Sequence, residues 1–193
     1  MIQKFLQKID FNAPVTLTFA VFAIMTLILN TVMPGQTINN LLCAPNSISP
    51  LSLGFYLSLF THILPHQNWA HFIGNFSFIL ILGPIIEERY GSKTLLFLIL
   101  ATAGITGLFN ALLFSSSIIG ASGIVFLLII LASFGGGKEN KIPLTFIIVF
   151  FIYMGGQIIS ALKPNCISEF AHLMGGLCGA GFGFWLQKKH RAT

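Results

Sequence analysis

Four polar side chains stand within or at the ends of long apolar stretches of this sequence, and their types suit acyl-transfer chemistry: Ser122, His172, His71 and Asn75. A serine hydroxyl is a weak nucleophile until a neighbouring base takes its proton, and imidazole exchanges its proton near neutral pH. Ser122 is therefore the candidate nucleophile. His172 is the candidate general base, which later returns the proton to a leaving amine. Gly120-Ala-Ser-Gly123 sets the serine at the start of an apolar run, where the backbone N–H groups of a helix N-terminus are free. The Ser122 N–H and the Gly120 region, with side-chain donors from Asn75 and His71, are candidates for an oxyanion hole. The chain has 5 acids. Of these only Glu169, one turn before His172, stands on the same side as the cluster, as a candidate to orient the imidazole. The expected machinery is a serine–histidine dyad.

The elements that must position these groups are membrane spans. Of 193 residues, 55% are hydrophobic and only 8% charged, about a third of the charge density of a soluble domain. Six apolar stretches are long enough to matter, over 14–33, 69–86, 94–114, 122–134, 142–162 and 170–187. In a bilayer each must be helical, because no water satisfies an open backbone there. The segment 34–68 is too long and mixed for a turn and reads as a structured outer loop, with 51–64 lying partly in the interface. The fold class is an all-α integral membrane bundle of six spans. The expected division is a cytoplasmic N-terminal segment 1–13, a six-span domain 14–187 and a basic tail 188–193.

Charge sets the orientation. Of the 10 lysines and arginines, Lys163 alone falls on the outer side if the six stretches alternate. This positive-inside bias predicts cytoplasmic N- and C-termini. It also accounts for the net charge of +5 without a nucleic acid partner, since no basic patch carries interleaved aromatics.

The fourth stretch is short, roughly 20 Å at 1.5 Å per residue against a hydrocarbon core of about 30 Å. Ser122 then begins its helix about 10 Å below the outer surface. Counted from the inner ends of their helices, His172 at roughly 22 Å, His71 at about 24 Å and Asn75 at about 18 Å share that layer. His71 and Asn75, four apart, lie on one helix face. On the last stretch His172, Gly179 and Gly183 share a face flanked by Gly175 and Gly176. Small residues in this pattern let helix backbones approach closely, as a short serine and a histidine on separate helices require.

Other membrane chemistries lack their residues. No His-Glu-x-x-His is present, and Asp10 is the only aspartate, so neither a zinc site nor an aspartate pair is expected. His62, His66 and His71 have no acid or cysteine beside them to complete a metal set, and His66 reads as a residue that shapes the loop. No metal or other cofactor is expected. Cys43 and Cys166 fall in outer loops, where an oxidising compartment permits a disulfide. Two free thiols are the expected state, since nothing in the sequence brings their Cα atoms within about 7 Å.

His66-x-x-x-x-His71-x-x-x-Asn75, Gly83-x-x-x-Glu87-x-x-x-Gly91, Gly120-Ala-Ser-Gly123 and Ala171-His172-x-x-Gly175-x-x-x-Gly179 together resemble, in order and interval, the signatures of the rhomboid intramembrane serine proteases. The resemblance runs from about Leu59 to Phe184. It implies Ser122 as nucleophile, His172 as base, and His71 and Asn75 in the oxyanion hole. It further implies peptide cleavage in or beside the membrane segment of transmembrane substrates, at a site opening to the outer side of a bacterial plasma membrane. The six-span form is similar to the bacterial members. Glu87, near a helix C-terminus, is expected to pair with Arg89 or Lys93. Three positions depart from the family pattern. Leu57-Ser58 replaces a Trp-Arg pair, Asn110 stands where some members have glutamine, and Phe126 replaces a tyrosine that stacks on the histidine. Two alternatives stand beside this reading: an inactive rhomboid-like binder of transmembrane helices, and a small membrane transporter. A transporter would carry paired charges or broken helices near the midplane, whereas this cluster lies nearer one face.

Overall fold

The computed structural model describes residues 10–135, 141–161 and 167–189, and within them the chain is all-helical. The six apolar stretches become α1 (Pro14–Val32), α4 (Trp69–Tyr90), α5 (Ser92–Leu113), α6 (Ser122–Ser133), α7 (Leu144–Ala161) and α8 (Ile167–Lys189). Between α1 and α4 lie a 3-10 turn (Pro34–Gln36) and two shorter α-helices, α2 (Thr37–Leu42) and α3 (Leu53–Thr61). The expected interfacial segment 51–64 is thus a capped helix, with the Ser52 hydroxyl accepting from the Phe55 N–H. By length and composition α1, α4 and α5 are each sufficient to cross a membrane. Large apolar side chains such as Phe22, Ile81, Phe97 and Phe151 point outward, a surface suited to lipid and far beyond the apolar patch a water-facing monomer exposes. The molecule is a helical membrane bundle.

α6 is its axis. Every residue from Gly123 to Leu131 is buried, as befits a helix that is apolar all round. It is surrounded by α4, α5, α7 and α8, and its most intimate neighbour is α8. That intimacy comes from glycine. A Cβ on Gly179 would lie 2.9 Å from the Leu127 carbonyl oxygen, and one on Gly175 would collide with the Gly123 backbone. On the far side α3 presses onto α5, where a Cβ on Gly107 would meet the Leu59 carbonyl at 2.9 Å.

Glu87 departs from expectation. Its carboxylate is buried and accepts the Val15 N–H at 2.8 Å, the Thr16 N–H at 3.0 Å and the Thr16 hydroxyl at 2.8 Å. It therefore caps α1, which opens on Pro14 and has no side-chain cap of its own. An anion there complements the positive end of the α1 dipole. Arg89, one of the two expected partners, instead lies over the Tyr90 ring at 5.1 Å.

Candidate active site

The turn that precedes Ser122 is held from outside its own helix. The Gly120 N–H donates to the His62 carbonyl at 2.9 Å, and the Ala44 N–H donates to the Ile118 carbonyl at 2.9 Å. Asn110, fully buried, donates its Nδ2 hydrogens to Pro45 and Ser116 at 3.0 and 2.9 Å. The expected irregular backbone is thus buried in protein and satisfied by it. Gly120 sits at φ +113°, and a Cβ there would come within 2.7 Å of His71 Cε1. Both the backbone conformation and the space demand glycine at this position.

α6 then starts without a side-chain cap. The Ile124 and Val125 N–H groups close onto the Ala121 carbonyl, which leaves those of Ser122 and Gly123 as the donors the helix does not use. A cavity of about 550 Å³ opens at this point. Ser122, His172, His71, Asn75, Gly120 and Gln67 all line it. Ser122 comes from α6, His172 from α8, and His71 and Asn75 from α4. Beneath it, Phe126 stacks on the His172 ring with centroids 4.6 Å apart and planes 7° from parallel. The aromatic contact expected at this position is present without a hydroxyl.

His66, read from the sequence as a loop-shaping residue, holds the cluster together. It is wholly buried, and its Nδ1 lies 3.0 Å from the Leu64 carbonyl. A carbonyl only accepts, so Nδ1 carries the proton and Nε2 offers a lone pair. That lone pair receives Asn75 Nδ2 at 3.0 Å and the Ala121 N–H at 3.4 Å. One imidazole thereby links the loop, α4 and the turn before Ser122. Asn75 keeps its second amide hydrogen for the cavity. His71 Nδ1 is buried with no hydrogen-bond partner among the described residues.

Burial lowers the pKa of His62 and of His66 to about 4. An unfolded chain takes up these protons near pH 6.5 and the folded one near 4, so between those values unfolding binds protons. Stability is full above about pH 6.5 and falls as the pH drops towards 4, by up to about 3 kcal/mol per histidine. Thermal unfolding in detergent from pH 7.5 to 4.5 should show the decline, with a shallower slope in His62→Gln. Equal slopes would mean that His62 is protonated in the fold.

His172 has a partner the sequence did not suggest. Nδ1 lies 2.7 Å from Oε1 of Gln157, on α7. An amide in an otherwise apolar span was the available signal. Cys43 is a free thiol 3.3 Å from the Asn40 carbonyl, and Cys166, its candidate partner, lies outside the described residues.

Residues 54–189 match the family model of the Rhomboid domain, well over half of the chain. The protein belongs to the rhomboid family. No curated protein matches the chain. The rhomboid match spans α3 to α8 and so includes every residue of the cavity named above.

Proposed function

We propose that this rhomboid-family protein is an intramembrane serine endopeptidase in which Ser122 and His172 form the catalytic dyad. The observation that supports this most is the single cavity onto which Ser122, His172, His71 and Asn75 converge from three helices. In the reaction His172 takes the Ser122 proton as Oγ attacks the scissile carbonyl. The oxyanion is met by the Ser122 N–H, the free hydrogen of Asn75 and the His71 ring. His172 then protonates the leaving amine, and water hydrolyses the acyl-enzyme by the same steps. Substrates are transmembrane proteins cut in or beside their membrane segment. The protease unit is residues 14–187, six spans with both termini cytoplasmic and the cavity opening to the outer face of a bacterial plasma membrane, flanked by 1–13 and the basic 188–193.

The test is incubation of the purified protein in liposomes with a fluorescent transmembrane reporter, wild type against Ser122→Ala. Cleavage by wild type alone is expected. Capture of the reporter intact by both forms would replace the protease with a non-cleaving binder of transmembrane helices.

Asn75→Ala should lower kcat with little change in KM. One oxyanion donor is worth about 10²–10³ in a soluble protease, and about 10–10² is expected here because the Ser122 N–H and His71 remain. An unchanged kcat would remove Asn75 from the oxyanion hole.

A further inference from the structure

A stacked ring fixes the plane of an imidazole but not which edge faces the nucleophile. Phe126 lies parallel to His172 at 4.6 Å, and a half-turn about the Cβ–Cγ bond would keep that contact. The same half-turn exchanges Nδ1 with a carbon and Nε2 with the other. Tautomerism adds a second ambiguity, since a neutral imidazole carries one proton on either nitrogen. A base for Ser122 needs both choices made: Nε2 towards the serine, and the proton on Nδ1.

Gln157 supplies both. Its Oε1 lies 2.7 Å from His172 Nδ1, and a carbonyl oxygen only accepts. α7, which carries Gln157, is seated against α8 where Met154 packs on Gly176, and against the foot of α6 where Phe146 packs on Phe134 at 4.3 Å. The half-buried amide thus lies on a helix held by packing at Phe146 and, three residues before the amide, at Met154.

We propose that Gln157 is a positioning residue of the site, accepting the His172 Nδ1–H and so fixing the ring orientation and tautomer that leave Nε2 free to take the Ser122 proton. The proposal rests on the dyad assigned above. When His172 becomes an imidazolium in the transition state both nitrogens carry hydrogen, and the amide oxygen still accepts from Nδ1. Being neutral, it stabilises that cation less than a carboxylate would.

Three forms of the full-length protein test this: wild type, Gln157→Leu and Gln157→Glu. The leucine suits a membrane helix, so loss of fold is not expected, and thermal unfolding verifies it. Gln157→Leu should lower kcat about 10–100-fold, part of what a general base contributes, with KM within twofold of wild type. Gln157→Glu should restore the acceptor and recover most of the rate. Its carboxylate should also move the acidic limb of the kcat/KM profile to higher pH, because a nearby anion favours the imidazolium. A group that merely packs would leave that limb in place.

A second readout is independent of turnover. Nitrogen-15 spectra of the His172 ring should show protonated Nδ1 in wild type and a mixture of tautomers in Gln157→Leu. Wild-type kcat in the leucine form, or an unaltered tautomer there, would overturn the proposal. If wild type cuts no reporter while its tautomer still depends on Gln157, the protease assignment fails and the positioning contact stands.

Discussion

Ser122→Ala is expected to lower kcat/KM for a transmembrane reporter by at least about 10⁴-fold, and His172→Ala by a similar factor. The reason is that in the proposed dyad neither residue has a function without the other. A serine without a base remains a neutral hydroxyl, and a base without a serine has no proton to accept. The double variant should therefore be hardly slower than either single one, as happens when residues act as a unit. Both substitutions remove atoms that line an existing cavity, so thermal unfolding should change little. A His172→Ala form with a tenth of wild-type activity, in preparations free of other proteases, would require another base.

The second large effect is expected at a helix contact that includes no reacting atom. Gly175→Ala places a methyl group on the Gly123 backbone, one residue beyond Ser122. Neither side can yield easily, since the obstacle is main chain and α6 is buried along its length. Helices α6 and α8 must part, and with them Ser122 and His172. Overpacking of this kind costs about 1–3 kcal/mol, and a displacement near 1 Å at a catalytic pair costs about 10² in rate. Gly181→Ala, on the same helix but with nothing within 4 Å of the added carbon, should remain close to wild type in both stability and rate. If Gly175→Ala proves as active as Gly181→Ala, close helix contact does not set the dyad geometry.

The elements were legible because the membrane simplifies them. Stretches such as 94–114 and 122–134 have no alternative to helix in lipid, and the observed helices Ser92–Leu113 and Ser122–Ser133 depart from them by at most two residues. The polar cluster was legible for a related reason: Ser122, His71, Asn75 and His172 are costly in an apolar span unless they meet. Their spacing placed them at one depth, and the structure brings them to one cavity. The glycine face of α8 was equally readable, because small residues at intervals of four have few roles besides close packing.

What the sequence did not yield are pairings between distant segments. Glu87 had nearby cations to pair with, and its actual partners, Val15 and Thr16, lie 72 and 71 residues away. That choice depends on how α1 crosses α4, which no local pattern encodes. His66 stands in the loop by sequence, yet its bonds to Asn75 and Ala121 connect that loop to the site. Gln157 was hard to read for a chemical reason: an acid is the usual partner of a catalytic histidine, and an uncharged amide can accept the same hydrogen at less desolvation cost in a membrane.

The central claim is that Ser122 is a nucleophile activated by His172. Its most direct measurement is covalent labelling with a fluorophosphonate, which reacts with an activated serine without needing a recognised peptide, followed by mass spectrometry of the digested protein. The account predicts one adduct on wild type, located on Ser122, absent in Ser122→Ala and at least about 10²-fold slower to form in His172→Ala. An adduct on another serine, or labelling of Ser122 at the same rate in His172→Ala, would contradict it.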